Sequence, residues 1–284
     1  MNRRLYLPDQ PIMQIILCLL LVAAVLIPVL TLGAGANEPI EVSILLDGDE
    51  KAFDSPPIMI VSTTYVPLIE FCLVIDPDST VGDYSVGTVT SLGMPISASD
   101  GDCYIVVNGR YLYTPTLCRM IGDELYVPLR PLASAFGLNV IWLPDTKTVV
   151  LISAYDLIES GEKYYDSDEV YWMSRIINAE AGGEPMSGKI AVGNVVMNRT
   201  GASFCPNTIY DVIFDNKFGV QFTPAYSGAI HRSPNQDSIV AAKLALEGAD
   251  IVGDSLFFNV RNLKSWASQN RPYITTIGNH SFYG

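Results

Sequence analysis

The stretch Ile177-Asn178-Ala179-Glu180-Ala181-Gly182-Gly183-Glu184-Pro185 decides how the C-terminal part of this chain is read. Asp168 to Glu180 predicts a helix. Met173, Ile176, Ile177 and Glu180 fall at i, i+3, i+4 and i+7, one stripe of a 3.6-residue period. Ser167 or Asp168 can cap its start ahead of an acidic first turn, and Gly182-Gly183 stops it. A second helix is expected from about Pro185 or Ser187 to Met197. Its apolar residues Ile190, Val192, Val195, Val196 and Met197 cover most of the circumference, so it should be buried on several sides. A short helix follows Pro206-Asn207-Thr208, and another runs from about Gln236 to Leu246 and ends at Gly248. Ser255 to Phe258 and the tail Thr275 to Tyr283 read as extended. Glu180 is thus a carboxyl on the apolar stripe of a helix, in its last turn. The partial negative charge of a helix C-terminus and a low dielectric both disfavour ionisation. A carboxyl held protonated near neutral pH suits general-acid catalysis. The alternative is a Glu180 at the margin of the stripe, solvated or paired with Arg175 or Lys189.

Working outward, the middle of the chain repeats itself. Asp47-Gly48 recurs as Asn108-Gly109 and Tyr65-Val66-Pro67-Leu68 as Tyr126-Val127-Pro128-Leu129, both at an offset of 61 residues. Each copy opens with a short apolar strand (Val42 to Leu46; Tyr104 to Val107) followed by a D-G or N-G turn, a strong hairpin signal. After the second YVPL, Leu132 to Gly137 predicts a short helix stopped by glycine. Val140-Ile141-Trp142 and Thr148 to Leu151, around Pro144-Asp145, predict a further hairpin. Residues 154–167 are polar and acidic and read as a linker.

The chain has 284 residues, and 49% of them are hydrophobic, enough for a packed core. Charge divides it. Residues 37–166 carry six basic against nineteen acidic side chains, residues 167–284 nine against ten, so these read as separate units. A net charge of −13 repels phosphates, which argues against a nucleic-acid partner. At the start, Arg3 and Arg4 precede an uncharged run from Gln10 to Asn37, almost wholly apolar between Ile12 and Leu32 and closed by Gly33-Ala34-Gly35-Ala36. Residues 1–36 therefore read as an export signal cleaved after Ala36, or as a retained membrane anchor. Both place the rest of the chain outside the cytoplasm. With two histidines, His231 and His280, a His-rich metal site is excluded. Cys72, Cys103, Cys118 and Cys205 allow three full pairings, and a Cys103–Cys118 bond could close the Asn108-Gly109 hairpin.

The C-terminal motif continues as Gly188-Lys189-Ile190-Ala191-Val192-Gly193-Asn194-Val195-Val196-Met197-Asn198-Arg199. Phe204-Cys205-Pro206-Asn207-Thr208, Gln221-Phe222, Leu256-Phe257-Phe258-Asn259 and Ile277-Gly278-Asn279-His280-Ser281-Phe282-Tyr283 come after it in order. Over residues 168–284 this resembles the SleB-type cell-wall hydrolases, the spore cortex-lytic enzymes. Gly182-Gly183 departs from the family pattern, which often has a bulkier, basic residue before Gly-Glu-Pro. The repeated region, residues 40–153, resembles the copper amine oxidase N-terminal-like domain, a stalk or wall-associated module. It contains no histidine, so the name implies no copper here. Together the resemblances imply an α+β chain: a β-rich two-repeat domain followed by a mainly helical, lysozyme-like domain.

The family also implies an activity. Its members cleave the glycosidic bond between N-acetylmuramic acid and N-acetylglucosamine, so peptidoglycan strands are the expected partner, and no metal or organic cofactor is required. Glu180 takes the place of the catalytic glutamate. In a lytic transglycosylase one carboxyl suffices, whereas an ordinary lysozyme needs a second, for which Glu184 is the candidate unless it caps the next helix. Gln221, Phe222, Asn259, Trp266, Asn279 and Tyr283 are the expected substrate-binding residues, offering amides, aromatic faces and a hydroxyl. Two other readings stay open: a module that grips glycan without cutting it, and a cysteine peptidase using Cys205 with His231 or His280.

Overall fold

A computed structural model describes residues 38–83, 87–217 and 219–284. The expected export or anchor segment lies outside the described residues. Among those described, no helix is long and apolar enough to cross a membrane.

The repeat is built where the sequence places it. Asp47-Gly48 and Asn108-Gly109 both adopt positive φ (51° and 95°; 53° and 78°), the geometry of a two-residue hairpin turn. They join β2 (Ser43–Leu46) to β3 (Asp49–Lys51), and β9 (Tyr104–Val107) to β10 (Arg110–Tyr113). Each YVPL spans a strand-to-helix junction. In the first copy β5 (Thr63–Pro67) runs into α1 (Leu68–Ile75), and in the second β12 (Glu124–Pro128) runs into α2 (Leu129–Ala135). The proline fits because an N-cap backbone is extended and the helix starts after it. The two copies also pair with each other: β5 and β12 are antiparallel and Val66 lies opposite Val127. This forms the centre of the five-stranded sheet β1-β4-β5-β12-β11, with β1 (Ile40–Glu41), β4 (Ile58–Ile60) and β11 (Arg119–Ile121) outside.

The second sheet is β10-β9-β8-β7-β6, where β6 is Thr80–Val81, β7 Thr88–Ser91 and β8 Met94–Ser97. The third is β13-β14-β2-β3, where β13 (Leu138–Leu143) and β14 (Thr148–Ser153) form the expected late hairpin and β14 pairs in parallel with β2. Val66, Leu68, Phe71, Val127, Leu129 and Leu132 are fully buried between these layers.

No disulfide closes the second hairpin. Cys72, Cys103, Cys118 and Cys205 are free thiols. Thr114 N bonds Cys103 O, so Cys103 faces Thr114 across the ladder, while Cys118 lies in the N-terminal core with Sγ against Tyr104 O at 3.7 Å.

The C-terminal unit begins after α3 (Gly161–Tyr164) with α4 (Ser167–Ala181), one residue longer than expected at each end. Its cap is Asp166 rather than Ser167 or Asp168, the carboxylate accepting from Asp168 N (2.8 Å) and Glu169 N (3.2 Å). α5 (Met186–Gly201) runs a turn past Met197, where Asn198 and Arg199 donate to the carbonyls of Gly253, Ser255 and Leu256. Then come α6 (Ile209–Ile213), α7 (Thr223–Ser227), α8 (Gln236–Leu246) and α9 (Trp266–Asn270). The three long helices meet at Gly193. A Cβ there would lie 2.8 Å from Ala245 Cβ and 3.2 Å from Ile177 Cδ1, so glycine permits the close approach. A small sheet, β15-β17-β16, covers α5, with β15 Phe257–Val260, β16 Tyr273–Ile277 and β17 His280–Tyr283.

The two regions are joined by a buried polar clamp. Arg110 on β10 forms a bidentate pair with Glu247 beyond α8, both side chains nearly inaccessible (12% and 5%). Tyr165 donates to Glu247 Oε1 (2.6 Å) and accepts from Tyr111 N (3.0 Å), while the Arg110 guanidinium stacks on Tyr164. Residues 154–167 therefore cross between the regions while gripping both.

Candidate active site

Glu180 occupies the last turn of α4, above the buried Met173, Ile176 and Ile177. It is half-buried, and among the described residues it makes no hydrogen bond or ion pair. Arg175 stacks on Tyr171 instead, and Lys189 is drawn to Glu184 O (2.5 Å) and Asp237 (3.9 Å). With no positive neighbour to offset desolvation, burial pushes the Glu180 carboxyl up to about 7.

The candidate residues fall into three groups. Near Glu180, within the α4–α5 turn, Glu184 is clasped by the turn between β16 and β17. Asn279 N donates to Oε2 and Asn279 Nδ2 to Oε1, both at 2.9 Å. These bonds hold the Glu184 carboxyl below its usual range. Glu184 does not cap α5, whose N-cap is Pro185 without a side-chain bond.

Farther along α5 a second group lines a cavity of about 680 Å³. It brings together Gln221 and Trp266 with Arg199, Asp215, Phe257 and Arg271. Arg199 is 4% exposed, bonds Gln221 Oε1 (3.3 Å) and lies 3.8 Å from Asp215. Asn259 stands behind this wall, accepting from Ser265 Oγ (2.7 Å) and donating to Val260 O and Leu263 O. Glu180 does not line this cavity. It sits beside the start of α5 and Arg199 near its end, thirteen residues on from Met186, which at 1.5 Å per residue is about 20 Å along the axis.

The third group is core. Phe222 is 1% exposed and packs on Phe258, so its ring faces are closed to a sugar. Tyr283 is 7% exposed and packs edge-on to Tyr273. Phe222 has an extended backbone, where neighbours point opposite ways, so Gln221 reaches the cavity and Phe222 the core.

The cysteine-histidine arrangement is not assembled. Among the described residues neither histidine bonds Cys205. His280 is buried between Phe258 and Phe282, which lowers its pKa, and His231 is exposed in a short 3₁₀ turn. Nor do the described histidines, cysteines and acids form a group of three suited to a metal ion. Arg199, Asp215 and Arg271 were not singled out from the sequence. Arg199 closes the motif ending Met197-Asn198-Arg199, and its burial shows only once α5 is packed.

The family model for the cell wall hydrolase matches residues 183–283, and that for the copper amine oxidase N-terminal domain matches 45–151. The spore cortex-lytic enzyme of Bacillus cereus is 34% identical over 119 residues, 42% of this chain and 45% of that protein. That of Bacillus subtilis is 30% identical over 119 residues, 42% of this chain and 38% of that one. Among solved structures, the catalytic domain of the germination-specific lytic transglycosylase SleB from Bacillus anthracis is 30% identical. The match covers 45% of this chain and all of that one (100%), with a TM-score of 0.39. The chain carries a cell wall hydrolase domain at its C-terminus, with a copper amine oxidase N-terminal-like domain before it. The family segment covers the C-terminal unit from the α4–α5 turn onward: Glu184, Asn279 and the cavity residues lie inside it, and Glu180 lies three residues ahead of it. The matched segment spans less than half the length of these curated relatives.

Proposed function

We propose that this chain is an exported enzyme that cleaves peptidoglycan between N-acetylmuramic acid and N-acetylglucosamine, as a lytic transglycosylase with Glu180 as its one catalytic carboxyl. The observation that carries the reading is the state of Glu180: half-buried, unpaired and raised to about 7, in the last turn of α4. At that value it donates a proton to the glycosidic oxygen as the bond from muramic C1 breaks. The carboxylate left behind takes the proton of the muramic 6-hydroxyl as O6 bonds C1. The product is a 1,6-anhydro sugar, no water is consumed, and Glu180 ends protonated.

The alternative, hydrolysis, needs a second carboxylate at a set separation. Glu184 is the nearest in sequence, and both its oxygens are held by Asn279. This favours the one-carboxyl route. In this reading Gln221 and Trp266 contact the strand away from the cut, one through its amide and the other through its exposed face. Asn279 and Asn259 position their neighbours, and Phe222 and Tyr283 support the cleft from the core. Residues 1–36 would deliver the enzyme to the envelope.

The test compares the wild-type chain with Glu180→Gln on purified peptidoglycan and spore cortex, with products read by mass spectrometry. Anhydro-muropeptides from the wild type alone are expected. Reducing-end products would refute the transglycosylase step. Wall binding without products from either chain would refute the enzyme.

A further inference from the structure

The N-terminal unit contains a cavity of about 500 Å³ that the proposed reaction does not use. That volume is within the usual range for ligand pockets, roughly 300–1,000 Å³. It opens between the β4–β5 hairpin and the β13–β14 pair. Trp142 and Met59 give it apolar surface, Thr63 and Thr64 add hydroxyls, and Arg130 stands at its side. Among the described residues the two threonine hydroxyls bond nothing and Arg130 has no ion pair. Thr116, also in the lining, has a buried Oγ1 without a partner.

The repeat provides an internal control. Arg130 is the second residue of α2, and its counterpart at the 61-residue offset, the second residue of α1, is Ile69, which is 5% exposed. At the same offset Trp142 corresponds to Val81 in β6. The fold is therefore made without this cation and this ring, and only the second copy has them. Arg130 also sits in a helix's first turn, where the dipole disfavours a cation. The first copy has Glu70 at that turn, and α2 has no acid there. At the rim, Val61 and Ser62 turn the β4–β5 hairpin with φ of 45° and 64°. Val61 is a β-branched residue in a backbone region it rarely adopts, and it is 69% exposed.

Aromatic surface, unpaired hydroxyls and one free guanidinium suit a sugar ring that carries a single carboxylate. The surrounding charge narrows the choice. With nineteen acidic residues against six basic in 37–166, the unit repels a polyanion such as a polyphosphate chain. We propose that this cavity is a second glycan-binding site, taking an amino-sugar strand with isolated carboxylates, with Trp142 stacked on a ring and Arg130 paired to the carboxylate. Naming that strand as peptidoglycan rests on the function proposed above; the sugar chemistry does not.

The experiment is calorimetric titration of the whole chain carrying Glu180→Gln, with and without Arg130→Ile, which copies the first repeat, and with Trp142→Leu. The probe is a soluble tetrasaccharide of N-acetylglucosamine and N-acetylmuramic acid bearing acidic stem peptides. Chitotetraose, which has no carboxylate, is the comparison. Arg130→Ile is expected to weaken one class of site about tenfold, and Trp142→Leu about fivefold. Chitotetraose should bind that site weakly and ignore Arg130→Ile. In an otherwise wild-type chain, Arg130→Ile should leave cleavage of the same soluble tetrasaccharide unchanged. Unaltered stoichiometry and affinity in both variants, with unchanged thermal melting, would overturn the proposal. Equal binding of chitotetraose would do the same. No cleavage by the wild-type chain, with an Arg130-dependent site present in the titration, would instead refute the function proposed above and leave this one standing.

Discussion

Replacing Glu180 by glutamine should stabilise the folded chain, and only above a definable pH. The carboxyl is raised from an ordinary 4.5 to about 7 by burial. Below the ordinary value it is protonated both folded and unfolded, and the fold loses nothing. As pH rises toward 7 the unfolded chain ionises while the folded one does not, and stability falls. Above about 7 the folded state carries a desolvated charge and the loss is complete. At 1.36 kcal/mol per pH unit the shift corresponds to about 3 kcal/mol. Glutamine keeps the shape and removes the charge, so the variant should match the wild type at pH 4.5 and exceed it by about 3 kcal/mol at pH 8. The assay is urea unfolding of both chains at several pH values, followed by tryptophan fluorescence. Cleavage by the wild type should fall as pH rises through about 7, because the acid is then ionised. A stability gap that stays constant with pH would refute the reasoning. So would an activity profile that rises through that range.

Two further outcomes follow from the packing. Glu247→Gln breaks a buried pair from one side and should cost about 3 kcal/mol, whereas Arg110→Met with Glu247→Leu should recover most of it; protease cutting within residues 154–167 reports both. Gly278→Ala would put a Cβ 1.9 Å from Glu184 Oε2 at a φ of +57°, so it should break the Asn279 clasp and destabilise the chain by about 2 kcal/mol, measured by thermal melting against Asn279→Ala.

Local features of this fold could be read directly. The 61-residue recurrence of YVPL and the short helix after its second copy are local signals, legible without knowing what they touch, whereas the helix after the first copy carried no such signal. The stripe ending at Glu180 was legible for the same reason. What could not be read was choice of partner. Nothing local says that Val66 faces Val127, or that β2 runs beside β14, because those contacts join segments 61 and about a hundred residues apart. Asn279 and Glu184 each stood out alone, and only the hairpin brings them together across 95 residues. Asp166, Ser167 and Asp168 all suit an N-cap, so the cap was ambiguous by two residues until the backbone fixed it. The Cys103–Cys118 expectation failed because proximity to a hairpin says nothing of direction: one thiol packs toward the C-terminal core and the other into the N-terminal core.

The parallel pairing of β2 with β14 has a mechanical consequence. Ser43 to Leu46 lie beside Thr148 to Leu151 and run the same way, near the beginning and the end of the repeated region. Tension applied between the chain ahead of β2 and the chain beyond β14 pulls the two strands in opposite directions along their common axis. Their shared hydrogen bonds are then loaded in shear, all together, rather than peeled one at a time. A region built this way transmits a pull along the chain without unzipping at its ends.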